Sequence, residues 1–316
     1  MTPAPSKSAL RRLGAERSRP WIGAALVAGG AMLFALKGVF AKQLYAQQVG
    51  FELLSTVRAV IALPLFWAFA IAREGTGTIR RTPPRALLAA AAAGFLCYYV
   101  GTLLDFYALT IIDAGIERAL LFSYPAMVVV ITAALAQKMP ARSILITLLM
   151  TYAGIFFVVG GFDTHELRAN LLGALFVIAT ALTYAIYFLL GARFTREIGS
   201  VRFTLFAMSA AAIALCVHFV VTHDFSDLYA VSGRSWVLLL VLGVVCMFVP
   251  ALMQAEGMRR IGAERGSLVS TVGPPTTILL GWLFLGERLS AMQLLGVALI
   301  LSGVLSLELA RSKTAK

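Results

Sequence analysis

The sequence predicts an all-α membrane protein of ten transmembrane helices, built as a 5+5 inverted repeat. Three observations predict it: charge is scarce, the apolar runs have bilayer length, and the second half repeats the first in register. Of the 316 residues, 60% are hydrophobic and 13% charged, about half the roughly 25% charged residues of a soluble domain. A hydrocarbon core of about 30 Å takes about 20 apolar residues at 1.5 Å each. Ten such runs with short connections nearly fill the chain and leave no room for a large soluble domain.

A basic tail over 1–20, with Lys7, Arg11, Arg12, Arg17 and Arg19, precedes the first span at 21–43. That run is longer than the 7–15 apolar residues of a signal peptide, so it reads as an uncleaved helix. Arg11-Arg12 reads as its cytoplasmic flank rather than a twin-arginine signal. The second span, 50–72, carries Arg58. The third, 86–109, opens with the small run Ala89–Gly94, suited to close helix packing, and contains Tyr98, Tyr99 and Asp105. A very short turn leads to the fourth, 114–136, with Glu117, Arg118 and Pro125. The fifth, 142–161, closes a first unit over 21–161. A connecting loop at 162–169 leads to a second unit over 170–310, with spans at 170–193, 200–222, 235–258, 263–285 and 290–310. A short tail, 311–316, follows.

Basic residues set the orientation, because short cytoplasmic loops collect Lys and Arg. With the N-terminus inside, about 20 of the 27 lie on the cytoplasmic side. Only Lys42, Arg118, Arg168, Arg234 and Arg288 lie opposite, so both termini are expected in the cytoplasm of a bacterial inner-membrane protein. The formal charge of +12 is therefore a topology signal, and no nucleic-acid partner is expected.

A shift of 149 residues lays Pro125 on Pro274, Arg85 on Arg234, Gly94 on Gly243, Cys97 on Cys246 and Gly154 on Gly303 without a gap. A shift of 150 aligns Gly23 with Gly173. Five helices per unit is an odd number, so the second copy enters the membrane from the opposite side. Inverted repeats of this kind are a recurring device of secondary transporters.

The stretch from Tyr107 through Asp113, Glu117 and Arg118 to Pro125, with its counterpart from Glu256 to Pro274 and the following Gly281–Arg288, resembles the drug/metabolite transporter superfamily, EamA type. Arg58 sits where these proteins often carry an arginine. The resemblance covers nearly the whole chain. It implies a ten-helix inverted-repeat fold and movement of small metabolites such as amino acids, with export the expected direction. One departure is Lys138, where the second copy has Glu287.

Charge inside a membrane helix costs about 2.5–3.5 kcal/mol on insertion scales, so each case calls for a cause. Lys37 is a candidate substrate contact for an anionic group; the alternatives are snorkelling or a structural ion pair. Lys42, nearer the helix end, is expected to snorkel. Arg58, Asp105, Glu117 and Arg118 are expected to join Lys37 in a charge network, structural or gating. Glu256 is a candidate proton-coupling carboxylate, or else a partner for Arg259 and Arg260 one turn on. Pro125, Pro274 and Pro275 are expected to kink equivalent helices as paired hinges. Tyr98, Tyr99, Tyr184, Tyr187 and Trp282 are candidate cavity-lining residues.

Neither a cofactor nor a metal is expected: His165, His218 and His223 form no ligand pattern, and Cys97, Cys216 and Cys246 lie in apolar runs without metal-type spacing. No Walker motif supports ATP-driven transport. The expected partners are a small metabolite, the lipid bilayer and protons as a candidate coupling ion, in a monomer or weak homodimer. The competing classes are a membrane-embedded enzyme or lipid-handling protein, for which only Asp163, His165 and Glu166 offer surface groups, and a channel, which normally needs polar rings from several subunits.

Overall fold

A computed structural model describes residues 20–137, 142–261, 266 and 269–314. Most of the basic tail expected over 1–20, together with Lys138, Arg265 and Lys316, lies outside the described residues, as do the side chains of Arg142, Arg311 and Lys313. Helices account for the ordered elements, with no strand among the described residues. In chain order they are α1 (Pro20–Tyr45), α2 (Phe51–Glu74), α3 (Thr76–Arg80), α4 (Pro84–Gly94), α5 (Thr102–Ala108), α6 (Ala114–Leu121), α7 (Tyr124–Ala136), α8 (Arg142–Val159), α9 (Thr164–Ile198), α10 (Ser200–Thr222), α11 (Ser226–Tyr229), α12 (Gly233–Gly243), α13 (Val249–Ile261), α14 (Gly273–Leu285) and α15 (Ala291–Thr314). A π-helical turn, Phe95–Gly101, joins α4 to α5, and another, Val244–Phe248, joins α12 to α13.

Seven of these stretches are long and apolar enough to cross a membrane: Trp21–Tyr45, Phe51–Glu74, Pro84–Ala108, Ala114–Ala136, Thr164–Ile198, Ser200–Thr222 and Gly233–Ile261. Three shorter apolar helices, Leu148–Val159, Gly273–Leu285 and Ala291–Ser306, accompany them. Large apolar side chains such as Leu149, Leu172, Ile213 and Val221 stand exposed on the outside, as a lipid-facing surface requires and a water-facing one would not tolerate in such number.

The repeat seen in the sequence returns in the backbone. α2 and α10 start 149 residues apart, as do α4 and α12, the two π turns, α7 and α14, and α8 and α15. Even the caps agree. Gly50 and Gly199 precede α2 and α10, and α7 and α14 both end on a left-handed residue, Gln137 at φ 50 and Gly286 at φ 71. Glycine takes that conformation freely, whereas Gln137 carries it at a cost of about 1 kcal/mol.

Packing exchanges partners between the halves. α1 lies against α13 and α14, while its counterpart α9 lies against α5, α6 and α7. α10 packs on α2, and α8 on α15. Glycines set the closest crossings. A Cβ on Gly257 would sit 2.8 Å from the Gly23 carbonyl, and one on Gly154 would sit 2.7 Å from the Gly296 carbonyl. Without lateral hydrophobic drive in lipid, such backbone approach is what associates helices.

Three expectations change. The connection expected over 162–169 is mostly the start of α9, because Asp163 caps the helix through His165 N and Glu166 N at 2.8 and 3.2 Å. The C-terminal tail expected from 311 continues α15 to Thr314. The fourth span is not one kinked helix: it breaks at Phe122–Ser123, and Pro125 lies in the first turn of α7. Pro274 and Pro275 lie likewise in the first turn of α14. Proline is at ease there, since first-turn N–H groups lack an intrahelical partner anyway.

Candidate functional site

The half-buried end of α1, the end of α5 and the start of α6 meet where Phe106 is wholly buried. Lys37 of α1 donates to Asp105 Oδ2 at 2.5 Å and to Glu117 Oε1 at 3.2 Å. All three are buried, Glu117 at 0% exposure. Asp105 lies midway along the short α5 and Glu117 in the first turn of α6, where the helix dipole also favours a carboxylate. The Phe106 ring meets two cations: Lys37 Nζ lies 5.4 Å and Arg58 Cζ 4.6 Å from its centroid, within cation–π range. Tyr45 donates to the Phe106 carbonyl at 2.8 Å and fixes the ring's backbone. Arg118 stacks on Phe122 at 5.3 Å, against the start of α14.

The structure thus brings Lys37, Arg58, Asp105, Glu117 and Arg118 into one neighbourhood, with the carboxylates divided unevenly. Lys37 holds both. Arg58, 9% exposed, makes no ion pair with a carboxylate of the described residues, and its Nε has no hydrogen-bond partner there. Asp105 Oδ1, Glu117 Oε2 and Arg118 Nε are likewise buried without one. Arg58 faces a small cleft, with room for roughly one water, between α2, α10 and both π turns. Its lining includes Phe66, Tyr98, Met208, Leu215 and Met247.

The other predicted residues scatter. Tyr98 lines this cleft and meets Tyr187 edge-on at 5.0 Å. Tyr184 packs with Tyr124 at 6.1 Å. Tyr99 points elsewhere, to His218 Nδ1 at 3.0 Å. Trp282 is 54% exposed and stands off the buried face of α14: Thr277 and Gly281 carry that face, and the next residue lies about 100° round the helix. Glu256 stands apart at the end of α13, bonded to Arg259 and Arg260 at 2.7 Å each. Lys42 does not snorkel; it lies 3.1 Å from Glu287 and 3.6 Å from Asp113.

Two groupings escaped the sequence reading. Glu287, just beyond α14, accepts from Ala114 N at 3.0 Å and so caps α6 across the halves. Glu52 on α2 lies 3.1 Å from His223 and 3.8 Å from His218, while Arg202 on α10 holds Glu74 at 2.8 Å at the other end of the same helix pair. The matched depth of Glu52 and His218 near span ends was the available signal. Among the described residues no set of three or more His, Cys, Asp and Glu is placed to hold a metal ion.

The EamA-like transporter family matches residues 21–160 and again 171–308. The chain belongs to this family. Among similar proteins, the uncharacterized transporter YcbK of Bacillus subtilis (strain 168) is 32% identical over 91% of this chain and 93% of its own length. An uncharacterized transporter of Archaeoglobus fulgidus is 26% identical over 71% of this chain and 76% of its own. A protein of known crystal structure, 19% identical, covers 93% of the chain and 99% of itself with a TM-score of 0.63, a likeness of fold. EamA membership and these relatives make the chain a membrane protein with a transport function and a small-molecule solute; their names indicate a transporter rather than an enzyme.

Proposed function

We propose that this EamA-like protein is a secondary carrier that exports a small metabolite, an amino acid or related solute, across the bacterial inner membrane by alternating access. The observation that carries the proposal is the exchange of partners. α1 packs on α13 and α14 of the second half, and α9 packs on α5, α6 and α7 of the first. Two halves joined in this way can trade conformations, which turns a pocket open to one side into a pocket open to the other.

The proposal takes the seven long and three shorter apolar helices as ten spans, five per half, with 21–161 and 170–310 as the repeats. The halves then lie antiparallel with both termini in the cytoplasm, in keeping with the distribution of Lys and Arg. The breaks before α7 and α14 supply half-helices at membrane depth, which are tolerated where they line a cavity or are covered by protein. Lys37, Asp105 and Glu117 form the ionic centre about which the halves move, with Arg118 beside the α14 break. Pro125, Pro274 and Pro275 fix where those half-helices start. The enzyme alternative gains nothing from Asp163, which is occupied in capping α9.

Purified full chain in proteoliposomes tests the carrier. Saturable counterflow, in which an internal unlabelled amino acid accelerates entry of the labelled one, is the expected result. Movement that never saturates, or chemical turnover without movement, overturns it. For the antiparallel arrangement, Thr76→Cys and Ser226→Cys, exposed at equivalent ends of the two halves, should label from opposite faces of the membrane. Labelling from one face would reject inversion.

A further inference from the structure

We infer that the cleft beside Arg58 is the solute site, and that it recognises a single carboxylate on a small apolar body. The inference rests on the carrier reading and gives it a substrate class. Five charged groups share the neighbourhood of Phe106: Lys37, Arg58 and Arg118 against Asp105 and Glu117. With every group ionised the set carries one net positive charge, and protonating a carboxylate only makes it more positive. Lys37 is satisfied by both carboxylates. Arg58 and Arg118 are thus left without a carboxylate among the described residues; of the two, Arg58 is the more deeply buried, at more than nine-tenths, and with its unpartnered Nε it stands in the wall of the cleft, where Arg118 does not.

A buried guanidinium without a partner is costly, and its planar fork of donors matches a carboxylate. The rest of the lining selects the body of the ligand. Ala59, Ala62, Leu63, Phe66 and Leu215 are apolar. Met208 and Met247 are unbranched and adapt to irregular shapes. A ligand with several anionic groups would find one cation and, apart from the Tyr98 hydroxyl, an apolar wall.

The repeat isolates Arg58 further. Position 58 corresponds to 207, which is alanine. Each of the two lies on the glycine that opens the other half's π turn: a Cβ on Gly94 would run into the Ala207 backbone, and one on Gly243 would sit 3.1 Å from the Arg58 carbonyl. The same backbone crossing is thus built twice and carries a cation once. π turns recur at functional sites, and this cleft is where both of them meet α2 and α10. As it stands the cleft is too small for a metabolite, so occupancy requires α2 and α10 to part at one end. Their ends are fastened by Glu52 with His223 and by Glu74 with Arg202.

Equilibrium binding of radiolabelled leucine and of 4-methyl-2-oxopentanoate to the detergent-purified full chain, with leucinamide as competitor, tests this. The two acids share carboxylate and apolar body and differ in the amine, so their ratio distinguishes an amino acid from a plain organic acid. The expected result is that at least one acid binds, leucinamide fails to compete, Arg58→Gln weakens binding about tenfold or more, and Arg58→Lys retains part of it. Ala211→Leu, which fills the cleft and leaves the arginine in place, should abolish binding and guards against misfolding of the arginine variants. Competition by leucinamide equal to that of the acids, full binding in Arg58→Gln or Ala211→Leu, or no binding of either acid to the wild type overturns the inference. In the last case, counterflow of some other solute would leave the carrier standing without this site. Arg58-dependent binding without movement in proteoliposomes would leave the site standing without the carrier.

Discussion

The two halves share a backbone plan and differ in charge. In the first, Arg58, Asp105 and Glu117 gather at the Phe106 ring; the positions 149 residues on are Ala207, Gln254 and Gly266. Helix starts, π turns and left-handed caps repeat, yet among the described residues the ion cluster does not. Backbone geometry in such a chain is therefore set by features that both copies retain: glycine at crossings, proline in the first turn after a break, and apolar faces of one length. The charges are an addition to one copy, and an addition that costs desolvation marks where the chain does something its own duplicate does not.

The largest expected effect breaks this contrast at its centre. Lys37→Met would leave Asp105 and Glu117 buried together without their cation, a loss of about 3–5 kcal/mol, read as a lower melting temperature of the detergent-purified protein. Adding Asp105→Asn and Glu117→Gln, which brings these positions nearer their uncharged counterparts Gln254 and Gly266, should restore most of that loss. A Lys37→Met variant as stable as the wild type would show that the cluster is not an ion pair in the folded protein.

Next come the matched glycines. Gly94→Ala should cost more than Gly243→Ala, about 3 against about 1 kcal/mol. At Gly94 the new methyl runs into the Ala207 backbone, whereas at Gly243 it meets the Ile61 side chain at 2.8 Å and the Arg58 carbonyl at 3.1 Å, a milder clash. Equal melting temperatures for the two variants would mean that the crossings are alike after all.

A smaller effect is expected at Glu287, whose counterpart is Lys138. Glu287→Gln removes the charged cap of α6 and the partner of Lys42, about 1–2 kcal/mol by comparison with other caps, again measured by thermal melting. The smallest belongs to Glu256→Gln. That pair with Arg259 and Arg260 is partly solvated, with side-chain exposures of 31%, 47% and 24%, so its loss should shift stability by less than about 1 kcal/mol. A larger shift would give the second half an ionic centre of its own.

Much of this was readable before any coordinates. Long uncharged runs signal spans because lipid tolerates little else, and the register that joins Pro125 to Pro274 survives because proline, glycine and cysteine are rare enough to mark position. The company of Lys37 with Asp105 and Glu117 followed from their shared depth, and Glu256 with Arg259 and Arg260 from helical spacing. Other features left no trace. Proline in a kinked helix and proline at the start of a half-helix have the same sequence surroundings, so the break at Phe122–Ser123 was invisible. A π turn adds one residue to a helix whose apolar pattern runs all round, so nothing in the pattern slips. Glu287 caps a helix 173 residues away, a distance over which sequence carries no geometry. Whether Trp282 faces outward or inward left no trace either, because an aromatic ring suits lipid and cavity equally.

One feature of the second half bears on the membrane itself. α9 runs unbroken for 35 residues, about 52 Å at 1.5 Å per residue, against a hydrocarbon slab of about 30 Å. A rod so much longer than the slab must either lean steeply or reach through the headgroups into water, and its opening residues His165, Glu166 and Arg168 suit the second course. Thinning or thickening the surrounding lipid would then change the tilt of a rigid beam that touches α5, α6 and α7, which ties the packing of the first half to the thickness of its host bilayer.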